Sequence, residues 1–177
     1  MEDLVFWVLA RALGLTSFAA LSLSMLSGVA LRTSVLDFLA RNRAIRSLHD
    51  FTTPLWLPLG AAHVIMLLFD ATARIGPADV VVPFRVGYGA LAIGLGTVSL
   101  DILVIVVVTS WLKRRMDQTL WRWIHRTSYV AFAALFFHAV LSGTDFDSPI
   151  VSAISWSTAA GIAVLSLSRI VWGRLPA

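Results

Sequence analysis

Four histidines carry most of the chemistry available to this 177-residue chain: His49, His63, His125 and His138. They fall as two spaced pairs, with steps of 14 and 13 residues. Imidazole is the commonest protein metal ligand, and its charge changes near neutral pH. The chain has no cysteine. That excludes disulfides, thiolate zinc sites, iron–sulfur clusters and thioether-linked haem. Any metal must then be held by His, carboxylate, Met or a bound cofactor. Two imidazoles facing one another across a helical bundle are what an axially bis-ligated haem iron needs.

The elements that position these histidines belong to a membrane protein. The chain is 58% hydrophobic and 14% charged, with a mean hydropathy of +0.84. Soluble domains average about 45–50% apolar and about 25% charged. The composition argues against a water-soluble enzyme, a disordered tail and a nucleic-acid-binding domain. The formal charge of +4 is a topology signal rather than a DNA footprint. Five apolar spans are long enough to cross about 30 Å of hydrocarbon: Leu4–Leu31, His49–Phe69, Val86–Leu112, Leu120–Leu141 and Ile150–Val171. They do not alternate as barrel strands do, so they are expected to be helices, which satisfy their own backbone in lipid. The fold expected is an all-α, five-span transmembrane bundle occupying residues 1–177 as one domain. The acidic start, Met1-Glu2-Asp3, lacks the positive n-region of a secretory signal, so the first span is expected to be retained.

Arginine and lysine set the expected orientation. The first loop carries Arg32, Arg41, Arg43 and Arg46. The approach to span four carries Lys113, Arg114, Arg115, Arg122 and Arg126, and the C-terminus carries Arg169 and Arg174. By the positive-inside rule these face the cytoplasm, which puts the N-terminus outside and the C-terminus inside. Trp111, Trp121, Trp123 and Trp172 gather at that same face, as an aromatic belt does. A multi-pass protein of the cell (inner) membrane, with lipid as its first partner, is expected.

Spans two and four run in the same direction and hold all four histidines. His49 and His125 lie at the inner edge, and His63 and His138 about 20 Å further out. Each level thus has one imidazole from each span. Helical phase tests the arrangement. The 14-residue step is about 40° short of four turns, so His49 and His63 share a face. The 13-residue step leaves His125 and His138 about 140° apart on an ideal helix. Distortion near Thr127 and Ser128, or tilt and side-chain reach, must absorb that. Pro54 and Pro58 interrupt span two between its histidines and are expected to kink it. A zinc or proton site is a second reading of the same residues.

The pattern His-x13-His followed by His-x12-His resembles the ferric reductase-like transmembrane domain family, which includes NADPH oxidases, ferric reductases and the haem subunit of bacterial methionine sulfoxide reductase systems. The resemblance extends to Leu9-Ala10-Arg11-Ala12 in span one, Val108-Thr109-Ser110 closing span three, and Trp121-Arg122-Trp123-Ile124-His125-Arg126 with Tyr129 and His138 in span four. It implies two b-type haems, one ligated by His49 and His125 and one by His63 and His138. It further implies electrons moving from a cytoplasmic donor to an outer acceptor. Two departures stand out. The sequence has no G-x-G-x-x-G and no flavin or nicotinamide domain, so a separate flavin reductase, flavin or the quinol pool is the expected donor. Oxygen-reducing members carry a further His one turn beyond the outer ligand, where this chain has Leu67.

Other residues fall into place around that expectation. Arg11, inside span one, either pairs with an outer haem propionate or snorkels to the headgroups. Arg85 has the same outer role open to it. Arg46 and Arg126 flank the inner histidines and either meet inner propionates or simply supply positive-inside charge. Trp56, seven residues from both His49 and His63, shares their face to within about 20° and either fills the space between haems or packs the bundle. Phe132, seven residues after His125, has the same two readings. Asp101, near the middle of span three, pairs with a cation, relays protons, touches a quinone or bonds a neighbouring hydroxyl. The function expected is that of a haem-containing subunit of a transmembrane oxidoreductase, delivering electrons to ferric iron or a periplasmic redox partner. The alternative is a haem-free bundle that transports metal or protons on its histidines.

Overall fold

The computed structural model describes residues 2–31, 33 and 43–171. Arg32, Arg41, Trp172 and Arg174, which the sequence assigns to the cytoplasmic face, lie outside the described residues. The described chain is helical and holds five helices long and apolar enough to cross a membrane. They are α1 (Glu2–Ala30), α2 (Arg43–Phe69), α4 (Ala90–Trp111), the broken pair α5 (Gln118–Arg126) and α6 (Ser128–Ser142), and α7 (Pro149–Val171). A short helix, α3 (Pro77–Val81), lies between α2 and α4. The chain divides into two compact units: Met1–Phe69 with Ser148–Ala177, and Asp70–Asp147.

In the first unit α1 and α2 form an antiparallel pair. Gly14 meets His63 near one end and Gly28 meets His49 near the other. Hydroxyls stitch the pair between those points. Ser17 Oγ donates to the Trp56 carbonyl at 2.8 Å, and Ser24 Oγ lies 2.9 Å from Thr53 Oγ1. Phe6 stacks on Phe69 at 5.8 Å, closing one end. Small residues at these crossings are what lets membrane helices approach closely, since lipid offers no hydrophobic drive to press them together. The first helical turns of α2 precede the expected start at His49. Arg43 and Arg46 are exposed polar residues there, and helix needs only backbone bonding, not an apolar side chain. The helix also runs through Pro54 and Pro58 without ending. In the same unit α7 leaves a shallow groove against α1, lined by Leu26, Ala153, Ile154, Ser157 and Thr158.

In the second unit α4 and α6 pair antiparallel, with Gly96 against His138. Helix α4 starts at Ala90 rather than Val86. Gly89, in the left-handed region at φ 55°, turns the chain into it. The segment before it folds onto the first turns of α4: Thr97 Oγ1 donates to the Asp79 carbonyl at 3.0 Å, and the Phe84 ring lies over Gly94. Phe84 itself sits at φ 61°, a conformation costly for a residue with a Cβ. Asp79 pairs with Arg85 at 3.2 Å and accepts from the Gly76 N–H at 2.9 Å.

Span four is broken at Thr127, where distortion was one of the ways to absorb the phase mismatch. Helix α5 ends at Arg126, and α6 begins at Ser128. At the junction the Thr127 N–H donates to Ile124 O at 2.9 Å, a three-residue step, and Thr127 Oγ1 takes the same carbonyl at 2.7 Å. That bond winds the chain tighter at the junction than an α-helix does, which reduces the phase gap between His125 and His138.

Candidate functional site

Three of the four histidines are held in one way. His63 Nδ1 lies 2.7 Å from the Ala10 carbonyl oxygen, His49 Nδ1 2.9 Å from that of Ser24, and His138 Nδ1 2.8 Å from that of Ala92. A carbonyl oxygen only accepts. Nδ1 must therefore carry the proton in all three neutral rings, and Nε2 keeps its lone pair. An Nδ1–H given to a backbone carbonyl is the arrangement that orients metal-bound imidazoles and raises their basicity. His49 and His138 each have a hydroxyl nearby as well: Ser24 Oγ at 3.4 Å and Ser142 Oγ at 3.3 Å.

Beneath each ring lies a glycine of the facing helix. A Cβ added at Gly14 would stand 2.9 Å from His63 Nδ1. At Gly28 it would stand 3.0 Å from His49 Cε1, and at Gly96 2.7 Å from His138 Nδ1. At Gly14 and Gly96 a methyl group would force the ring to shift, and at Gly28 the ring would have to give by a few tenths of an ångström. The sequence reading passed over these glycines. A signal for two of them was present: Gly14 and Gly28 are 14 residues apart, the same step as His49 to His63.

His125 is placed differently. It lies on the nine-residue α5 and stacks on Trp121 at 5.2 Å between ring centres. Trp121 in turn points Nε1 at Ser110 Oγ, 3.4 Å away. Asp117 caps the start of α5, its Oδ1 accepting from the N–H groups of Thr119 at 3.0 Å and Leu120 at 2.8 Å. That α-helix is amphipathic and carries Trp123, Arg122 and Arg126 beside the histidine.

The cationic candidates are distributed among several settings. The Arg11 guanidinium lies over the Trp7 ring at 4.2 Å, and that of Arg126 over Trp123 at 4.7 Å. Both are cation–π contacts, the first in the third turn of α1 and the second at the end of the nine-residue α5. Arg85 is ion-paired with Asp79, and its side chain is 60% exposed. Arg46 is exposed on the first turn of α2. Trp56 is buried on α2, between the two histidines of that helix. Phe132 is buried on α6. Asp101 is half-buried, midway along α4.

Chemically, the arrangement offers preset imidazole Nε2 donors in an apolar, helical setting. Among the described residues no three His, Cys, Asp or Glu side chains gather to enclose a bare metal ion. A haem asks less of the protein, because its porphyrin supplies four of the six iron ligands and leaves only the axial positions for imidazole. In donor chemistry and in the glycine space beneath the rings, the residues present fit that group. Compared with known proteins, the chain matches no protein-family model, no curated protein and no solved structure.

Proposed function

We propose that the chain is a transmembrane b-type cytochrome in which His49, His63, His125 and His138 ligate two haems b. In this reading it serves electron transfer from a cytoplasmic-side donor, a flavin, flavin reductase or quinol, to an outer-side acceptor, ferric iron or a periplasmic redox partner. The observation that supports it most is the common seating of three imidazoles, each fixed as the Nδ1–H tautomer by a main-chain carbonyl. The pairing of His49 with His125 and of His63 with His138 rests on their depths along the spans and on the resemblance to the ferric reductase-like family. The orientation, N-terminus outside in the inner membrane, rests on the distribution of Arg and Lys.

When bound, haem supplies a one-electron centre whose potential follows axial ligation, hydrogen bonding and burial. The chain's own residues do the rest. The Ala10, Ser24 and Ala92 carbonyls hold the Nδ1 protons, which keeps each ring from swivelling and strengthens Nε2 as a donor. The histidines lie on helices apolar enough to cross a membrane. Arg11, Arg46, Arg85 and Arg126 are the side chains proposed to meet propionates, and Trp56 packs on the histidine face of α2.

The test is electron transfer across a sealed membrane. Proteoliposomes with ferricyanide trapped inside are treated with dithionite or a reduced flavin outside. The reading predicts ferricyanide loss only in vesicles containing the wild-type chain, and its slowing in His63→Ala and His49→Ala variants. Equal rates in protein-free vesicles and in all variants would overturn it.

A further inference from the structure

In an α-helix the carbonyl of residue i lies beside the side chain of residue i+4. Serine and threonine at that place bond back to it. This chain does so repeatedly, from Thr16 to Ala12, Thr53 to His49, Ser27 to Leu23 and Thr109 to Ile105. A donor from another helix reaches carbonyl i only where residue i+4 leaves that place empty. The three carbonyls that receive imidazoles are those of Ala10, Ser24 and Ala92, and the residues four further on are Gly14, Gly28 and Gly96. Ser17 reaches the Trp56 carbonyl by the same route, over Gly60.

We propose that Gly14, Gly28 and Gly96 are positioning residues that select the tautomer and ring orientation of His63, His49 and His138. A methyl group at any of them would occupy the place of the ring, 2.7–3.0 Å from its atoms. An imidazole pushed off its carbonyl loses the acceptor that holds the Nδ1 proton. On α1 the 14-residue step between the glycines equals the step between the histidines on antiparallel α2, so both seats stay in register. On α4 the residue 14 beyond Gly96 is Ser110, which has a Cβ and takes Trp121 Nε1 instead. His125 is accordingly positioned through its stack on Trp121 rather than by a glycine seat. The consequence for haem rests on the function proposed above; the seat itself is a property of the chain without any ligand.

The experiment has two readouts on the full chain in lipid nanodiscs. The first is the 15N spectrum of histidine-labelled protein made in a haem-limited host. The second is haem bound per chain after hemin addition. In the wild type the rings of His49, His63 and His138 should show protonated Nδ1 and bare Nε2. Gly14→Ala and Gly96→Ala should each lose that signature for one ring and cut haem content by about half. Gly60→Ala crowds Ser17 Oγ at 3.1 Å in the same helix pair, and Gly161→Ala meets only Leu26 at 3.8 Å. Both should retain the signature and the haem. Protonated Nε2 in the wild-type rings overturns the proposal, whether or not the variants fold. So does a loss in Gly60→Ala equal to that in Gly14→Ala. Loss of the signature in Gly14→Ala with no haem taken up by any protein supports the seat and removes the haem reading instead.

Discussion

Replacing Asp117 with alanine should loosen α5, the short helix that carries His125. The helix has nine residues, too few to hold together by its own hydrogen bonding. At its far end Thr127 breaks the continuity with α6. Its start depends on the Asp117 carboxylate, which takes two otherwise unpaired N–H groups, those of Thr119 and Leu120. Losing such a cap costs about 1 kcal/mol, and losing an exposed negative charge at a helix start costs about 0.3–0.5 kcal/mol more. At 1.36 kcal/mol per factor of ten, the opening equilibrium of α5 rises about 9- to 13-fold. Amide hydrogen exchange in nanodiscs reads this directly over residues 119–126, with 128–142 as internal reference. Asp117→Asn keeps the acceptor oxygen and loses only the charge, so its rates should stay within about twofold of wild type. Unchanged exchange in Asp117→Ala would refute the cap. Equal acceleration in α6 would refute the independence of the two halves.

Two further outcomes follow from single contacts. Ser17→Ala removes the inter-helix bond to the Trp56 carbonyl, worth about 0.6–1 kcal/mol in a membrane protein, and should lower the thermal midpoint by about 1–4 °C in detergent; an unchanged midpoint would contradict that role. Tyr88, just before α4, holds its phenolic proton beyond its ordinary range, mainly because it is partly buried, with Asp70 and Asp79 adding to the effect and Arg74 opposing it. The folded state then binds that proton more tightly than the unfolded state, so stability falls as pH rises above about 10. Urea unfolding followed from pH 9 upward should show a shallower decline in Tyr88→Phe than in wild type, and parallel declines would contradict the shift.

Much of the architecture was legible in the sequence because lipid imposes it. Continuous apolar runs had to become helices, and the five expected spans match five long apolar helices. The 13-residue step between His125 and His138 left distortion near Thr127 and Ser128, tilt or side-chain reach to absorb its phase, and the helix breaks at Thr127. Boundaries were less legible. Apolar patterning locates hydrocarbon, whereas helices end by local backbone chemistry, as at Gly89, where the left-handed turn delays α4 past Val86. The seats beneath the histidines were not legible from the histidines themselves. A main-chain carbonyl has no sequence signature, and its accessibility is written in the residue four positions later. Gly14, Gly28 and Gly96 are ordinary small residues until the facing ring is known. Arg85 illustrates a different limit, because a cation reserved for a propionate also finds Asp79, six residues earlier in the chain.

The central claim is that the four histidines hold two haems, and haem stoichiometry tests it most directly. Detergent-purified wild type is compared with His63→Ala and His138→Ala by reduced-minus-oxidised absorption and by haem quantified per chain. The account predicts a b-type spectrum, about two haems per wild-type chain and about one in each variant, with the inner centre retained. The same haem content in all three proteins, or none in any after hemin addition, would contradict it and leave the histidines to metal or proton transport.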